Sequence, residues 1–296
     1  MWRRLQLEQK SGGSTRIWGG VSPDGRWFAH AANNGVAHLL DADGKTVHEI
    51  KGPKYGEMPV AFSPDGKWLA AGAEGGVQIV DVATAQVARR LALPRSPAAL
   101  AFSPDGARLV LGEAYEYKDI NVSFWSAADG QMLKRIKLKD HARGVTELAF
   151  SADGRRVVMA ADGHLWIGDA EGKVAASRAA CARGLALSPD GSLVALANRG
   201  ASTLCRFELA DGSTGRTLKT LDGDSPSAVA IAPDGRSMAS MSGYGDTTVR
   251  LYTLPDGTLT ETIKVPGGAE AITFAADGKT LVLTSGGGLT VLRRMP

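Results

Sequence analysis

Along all 296 residues the apolar positions fall in short runs that alternate with polar ones or are briefly continuous, and no segment carries a helical period. "RRVVMAA" (155–161), an Asp-Gly break and "HLWIG" (164–168) are typical: two strands and a turn. One kind of break recurs almost unchanged. "VSPDG" (21–25) returns as "FSPDG" at 62–66 and 102–106, "FSADG" at 150–154, "LSPDG" at 187–191, "IAPDG" at 231–235 and "FAADG" at 274–278. Its aspartates, Asp24, Asp65, Asp105, Asp153, Asp190, Asp234 and Asp277, are spaced by 41, 40, 48, 37, 44 and 43 residues. Such periods belong to solenoids, propellers or arrays.

A second break recurs later in the unit: "DADG" 41–44, "AADG" 127–130, "DAEG" 169–172, "LADG" 209–212 and "LPDG" 254–257. Each unit therefore reads as strand, Ser-Pro-Asp-Gly turn, strand, loop, strand, Ala-Asp-Gly turn, strand, which is a propeller blade. In the turn, proline pre-sets φ, aspartate tolerates the third position and glycine takes the left-handed one. Counting back from the aspartate, position −3 is large (Val21, Phe62, Phe102, Phe150, Leu187, Ile231, Phe274). Position −4 is small (Gly20, Ala61, Ala101, Ala149, Ala186, Ala230, Thr273). The two face opposite sides of a strand. In the innermost strand of a blade, one side must be nearly bare where blades converge, and the other supplies a wedge against the neighbour.

The ends fit the same period. After Asp277 the chain reaches a third strand, "LTVLRRMP", and lacks a fourth, while "MWRRLQLEQ" at the N-terminus reads like the fourth strands "VARRLALPR" (87–95) and "LKRIKLKD" (133–140). The N-terminal strand is expected to complete the last blade and remove two open sheet edges. The expected fold is all-β: one seven-bladed β-propeller domain over 1–296, four antiparallel strands per blade. The blades are expected at about 16–51, 57–94, 97–139, 145–179, 182–221, 226–266, and 269–296 plus 1–9.

These residues resemble the WD-repeat family of seven-bladed β-propellers over the whole chain. The fullest copy is "VAIAPDGRSMASMSGYGDTTVRLYTLPDG" (229–257), with an aspartate six residues before an aromatic (Asp246, Tyr252); Asp119 and Trp125 repeat that spacing. The resemblance implies that these aspartates brace the loop between second and third strands. The Gly-His of the family is approached only by "KDHARG", and its Trp-Asp pair is split: "HLLD", "QIVD" and "WIGD" keep the Asp, "SFWS" the Trp. The chain is similar to the looser bacterial propellers marked mainly by the Ser-Pro-Asp-Gly turn, which include periplasmic six-bladed propellers and sugar-lactone hydrolases.

Composition adds little to this picture. Lys+Arg 34 against Asp+Glu 31 gives a net charge of +3, without the concentrated basic face that nucleic acid requires. Basic runs at Arg3–Arg4, Arg89–Arg90 and Lys134, Arg135 and Lys137 fall on predicted fourth strands, where charge blocks edge-to-edge pairing, and no aromatic residues interleave with them. Two cysteines, Cys181 and Cys205, exclude a disulfide framework and read as free thiols of a reducing compartment, a single disulfide being the alternative. No apolar run is long enough to span a bilayer, and no apolar segment follows the basic N-terminus as in a secretory signal. A cytoplasmic, monomeric protein without membrane or nucleic-acid partners is expected.

No nucleophile elbow, metal-ligand spacing, EF-hand loop, Cys-x-x-Cys pair or phosphate-binding glycine loop is present, so neither catalysis, cofactor nor metal is expected. Loops from fourth to first strands and from second to third strands should gather at the narrow end. They carry Arg16, Tyr55, Arg95, His141, Arg143 and Arg183, with Asn33, Asn34, Glu74, Tyr115, Tyr117, Asn198, Arg199 and Tyr244. The longest, "GEAYEYKD" (112–119), presents two tyrosines, and arginine recurs at the entrance of several first strands; both residue types are enriched in interface hot spots. The expected function is a non-catalytic scaffold binding a protein or peptide through Tyr115, Tyr117, Arg95 and Arg143, with Arg16, Tyr55, Arg183 and Tyr244 as further candidates. The alternatives are a lactonase-like or other propeller hydrolase with an axial metal, or a recognition module excised from a larger signalling protein.

Overall fold

The computed structural model describes all residues except 1, 9–17, 33–34, 54–57, 95–96, 114–119, 139–143, 162, 181, 199–205, 222–225, 243–246, 266–268, 286–287 and 296. Its strands form seven four-stranded antiparallel sheets. From inner to outer strand, blade one is Trp18–Val21, Phe28–Ala32, Val36–Leu40 and Thr46–Lys51, and blade two is Val60–Phe62, Trp68–Ala73, Gly76–Asp81 and Gln86–Ala92. Blade three is Ala99–Phe102, Arg108–Glu113, Ile120–Ser126 and Met132–Leu138; blade four is Val145–Phe150, Arg156–Ala161, His164–Asp169 and Val174–Ala179. Blade five is Ala182–Leu187, Leu193–Asn198, Arg206–Asp211 and Thr217–Leu221; blade six is Pro226–Ile231, Ser237–Ser242, Thr248–Thr253 and Thr258–Lys264.

Blade seven is built from both ends of the chain. Ala271–Phe274, Thr280–Ser285 and Gly288–Arg294 are completed by Trp2–Glu8, which pairs antiparallel with Gly288–Arg294 from Trp2↔Arg294 to Glu8↔Gly288. The N-terminal strand thus closes the ring, as the repeat period predicts.

The core is not central but divided among the seams. Seven clusters of buried apolar side chains each span two adjacent blades, and together they cover every seam, including the one between blades seven and one. Second strands such as Trp68–Ala73 and Arg156–Ala161 are covered on both faces and so read as apolar runs, whereas the outer strand Gln86–Ala92 alternates exposed and covered residues. The small and large positions of the inner strand meet across the seams. Ala61 shares a cluster with Phe102 of the next blade, Ala149 with Leu187, Ala186 with Ile231, and Ala230 with Phe274. At Gly20 a Cβ would stand 3.7 Å from the Phe62 ring. The wedge expected from the sequence is therefore directional: each blade's large residue enters the space left by the small residue of the blade before it.

The second connector departs from its expected alignment in two blades. In blade five the left-handed residue is Gly215 (φ 72°), not Gly212, because Asp211 ends the third strand and its carbonyl accepts the Gly215 N–H at 2.8 Å. In blade two, which has no glycine there, Ala85 takes the position at φ 56°.

Candidate functional site

Two ends of the ring differ in chemistry. At the turn end, five turns carry a buried serine that does more than continue the phrase. Ser22, Ser63, Ser103, Ser151 and Ser188 each donate Oγ–H to the turn aspartate at 2.5–2.6 Å. Each also accepts the backbone N–H of the residue five positions on, at or just before the start of the second strand, at 2.8–3.0 Å. That hydroxyl donation is the main reason Asp24, Asp65, Asp105, Asp153 and Asp190 titrate below the ordinary carboxylate value. At or just after the end of the third strands, Asp41, Asp81 and Asp169, the aspartates of the split Trp-Asp pair, accept backbone N–H groups of the following turn at 2.8–3.0 Å.

The turns also lock onto one another. A Cβ at Gly66, Gly106, Gly154 or Gly235 would lie 3.3–3.7 Å from a proline of the preceding turn. Where Ala152 replaces the proline of blade four, its freed N–H donates to the Pro189 carbonyl at 2.7 Å. A cleft of about 620 Å³ opens here between blades three and four, lined by Asp105, Arg108, Asp153, Asp169 and Glu171 among others. Its carboxylates are already engaged: Asp105 and Asp153 by their serines, Asp169 by the Glu171 and Lys173 amides, and Glu171 by Arg108 Nη1 at 2.8 Å. The turn end is a belt of satisfied hydrogen bonds.

Tyr115, Tyr117, Arg95, Arg143, Arg16, Tyr55 and Tyr244 lie outside the described residues, as do Asn33, Asn34, His141, Arg199, the proposed bracing residues Asp119 and Asp246, and both cysteines. Three nominated residues are described. Glu74 is exposed; Asn198 ends the second strand of blade five and is only 4% exposed; Arg183 is exposed at the entrance of that blade's inner strand.

Arg183 occupies a β-bulge, the register slipping between Ala182, which stands opposite Asn198, and Gly184, opposite Ala197. The same slip occurs in blades four and six, where the extra residues are Thr146 and Ser227. Those two fold a hydroxyl back onto a second-strand carbonyl, Thr146 to Ala160 at 3.4 Å and Ser227 to Met241 at 3.0 Å. Blade five places a long cation where its neighbours place a short hydroxyl.

Sequence reasoning passed over the polar residues inside the seams. Leu196 packs with Val158, Ala160, Leu165 and Ile167 of blade four, so its cross-strand partner Glu208 and the next pair on that face, Asn198 and Arg206, also face blade four. Glu208 (side chain 7% exposed) accepts from Arg178 Nη2 of blade four at 2.8 Å and from Thr217 Oγ1 at 3.1 Å. Arg206 Nε is 3.6 Å from its other oxygen. In blade three, Glu113 similarly pairs with Arg135. The signal was a single polar residue in an otherwise apolar third strand, as in "FELA". Among the described residues no group of three His, Cys, Asp or Glu side chains is placed to hold a metal ion.

Among curated proteins, none matches the sequence. The family model of the WD domain, G-beta repeat, matches residues 60–81 and 132–169. The first match covers the three inner strands of blade two. The second begins with the outer strand of blade three and ends with the third strand of blade four. The second match therefore straddles the seam between blades three and four. With those matches lying on a closed ring of seven four-stranded blades, the chain is a WD-repeat-like β-propeller.

Proposed function

We propose that the protein is a non-catalytic scaffold that binds a protein or peptide partner at the loop end of the ring. One observation carries this reading. The repeated end spends its polar groups on its own turns, while the loop end carries residues that differ from blade to blade, exposed Arg183 of blade five among them. A rigid ring presenting unlike loops suits recognition, since binding groups held on a fixed framework lose little freedom on association. Tyr115, Tyr117, Arg95 and Arg143 are proposed as the centre of the surface, flanked by Arg16, Tyr55, Arg183 and Tyr244.

The test is capture of a partner from the native cell by wild type, by Tyr115→Ala/Tyr117→Ala and by Arg183→Glu, with Arg26→Glu at the turn end as control. The double tyrosine variant and Arg183→Glu should each lose at least ten-fold of the captured partner while melting like wild type, and Arg26→Glu should retain it. Full retention by both loop-end variants would overturn the assignment.

A further inference from the structure

The seam that closes the ring, between blades seven and one, buries two histidines side by side. His30, on the second strand of blade one, is 1% exposed, and the strand register sets it directly opposite His38 on the third strand. Phe28 and Leu40, each two residues along the strand from one of these histidines, pack with Val282, Leu289 and Val291 of blade seven. Residues two apart share a face of a strand, so both imidazoles are turned toward blade seven. Gly19, opposite His30 on the inner strand, has no side chain, and the Thr284 methyl group of blade seven fills the space that a Cβ there would need. Thr284 brings a hydroxyl and no charge; it is 2% exposed, and its Oγ1 is buried without a hydrogen-bond partner.

The charged groups of this face, among the described residues, stand at its margins. Glu49 on the outer strand of blade one is opposite His38, with Oε1 3.6 Å from His38 Nδ1, and keeps 60% of its side chain exposed. Lys51 lies two residues further along the same strand, opposite Val36. On blade seven, Arg293 and the neighbouring Asp277 belong to the turn end, and Arg293 is four residues from Leu289, about 13 Å along the strand. By register the N-terminal strand sets Leu7, Leu5 and Arg3 opposite Leu289, Val291 and Arg293. The other described histidines lie in other seams: His48 shares its face with Ile50, toward blade two, and His164 shares its face with Trp166, toward blade three.

The closed seam thus sets one half-hydrated carboxylate against two imidazoles. Directly opposed side chains have Cβ atoms about 5 Å apart, so charging both rings places like charges together between apolar surfaces. Burial already holds the His38 imidazole below the ordinary histidine value, and Glu49 offsets this only in part. An opened seam hydrates both rings, which then take up protons at the ordinary value of about 6.5. Acid therefore favours the open form. The turn aspartates titrate below the ordinary carboxylate value and take no part in this range.

We propose that the seam between blades seven and one is an acid-sensitive latch: protonation of His30 and His38 loosens blade seven from blade one and leaves the other seams closed. The device works whatever the loop end binds, and it puts the pH response at the place where the two ends of the chain complete the ring.

The test is hydrogen–deuterium exchange of the whole protein at pH 7.5 and pH 5.5, corrected for the pH dependence of free-amide exchange. At pH 5.5 the open form gains up to about ten-fold for each ring that stays neutral in the closed seam. Protection in Phe28–Ala32, Thr280–Ser285 and Gly288–Arg294 should accordingly fall by about ten-fold, while Leu193–Asn198 and Ser237–Ser242, which flank the seam between blades five and six, keep theirs. The double variant His30→Gln/His38→Gln should show the same protection at both pH values. Should it fail to fold, His38→Gln alone replaces it and should show a smaller fall than wild type. Unchanged protection in the wild type, a fall shared equally by the strands of blades five and six, or a fall of wild-type size in the folded variant would overturn the proposal.

Discussion

Replacing Ser63 by alanine removes two hydrogen bonds with one oxygen. Ser63 is 1% exposed; its Oγ donates to Asp65 Oδ1 at 2.6 Å and accepts the Trp68 N–H at 2.9 Å, while the backbone bonds Gly66 N–H to Ser63 and Ser63 N–H to Trp68 stay in place. A hydrogen bond to a charged group contributes about 1.5–3 kcal/mol and a neutral one about 1 kcal/mol. Asp65 keeps half its side-chain surface in water, which places the total near the low end, about 2.5 kcal/mol. For a chain of this size that is roughly a 4 °C fall in Tm. Blade six supplies the reverse experiment. Its turn has Ala232, 2% exposed, in the same backbone frame, with Ala232 N–H to Ser237 O at 2.8 Å and Gly235 N–H to Ala232 O at 2.9 Å, and Asp234 already accepts the Arg236 amide at 2.9 Å. Ala232→Ser should complete the motif and raise Tm by about 2 °C, corresponding to about 1 kcal/mol. Both are measured by thermal unfolding and repeated as pH is lowered. Because the Ser63 hydroxyl lowers the pKa of Asp65, its contribution is present above the ordinary value of 3.8 and is lost as pH falls through the lower folded-state value. The gap between wild type and Ser63→Ala should therefore narrow in acid. A Ser63→Ala protein that melts with wild type at pH 7, or an Ala232→Ser protein that melts lower, would refute the role given to the hydroxyl.

Deleting residues 1–8 removes seven cross-strand pairs from blade seven; at about 1 kcal/mol per hydrogen bond the loss is roughly 5–7 kcal/mol, and an unfolding midpoint unchanged in urea would contradict ring closure. Phe102→Ala empties the wedge that fills the space beside Ala61 and should cost about 3–5 kcal/mol, whereas Leu133→Ala on the exposed outer edge should stay within about 0.5 kcal/mol. Burial lowers the pKa of His38 from 6.5, and Glu49 at 3.6 Å only partly offsets this. The unfolded chain then takes up the proton first, so stability should decline as pH falls below about 6.5 and level off once folded His38 is protonated too. His38→Gln should lose that part of the slope in melts taken between pH 7.5 and 5.

Blade number, strand order and ring closure were legible because the Ser-Pro-Asp-Gly phrase counts repeats and its period accounts for both chain ends. The inner-strand wedge was legible because size alternates at fixed positions, Ala61–Phe62 and Ala186–Leu187 among them. The serine's task was not. Spacing reports where a turn falls, not which of its side chains binds which amide, and Ser22 or Ser63 looks like any polar turn residue until its oxygen is seen between Asp24 or Asp65 and the second strand. The bulges at Thr146, Arg183 and Ser227 escaped for a related reason: one unpaired residue leaves the alternation on either side intact. Glu208, Arg206 and Arg178 come together across a seam from two blades, a pairing that no local pattern encodes. Asn198 and Arg183 were legible as members of the loop end, but the pairing of Asn198 with Arg206 needed the strand register.

The most direct measurement is hydrogen–deuterium exchange of the protein alone and bound to a partner recovered from the native cell. Binding at the loop end predicts that protection appears in 114–119, 139–143, 180–183 and 199–206, while exchange at the seven Ser-Pro-Asp-Gly-type turns is unchanged. Protection confined to those turns or to the outer strands, with the loop segments exchanging as in the free protein, would contradict it.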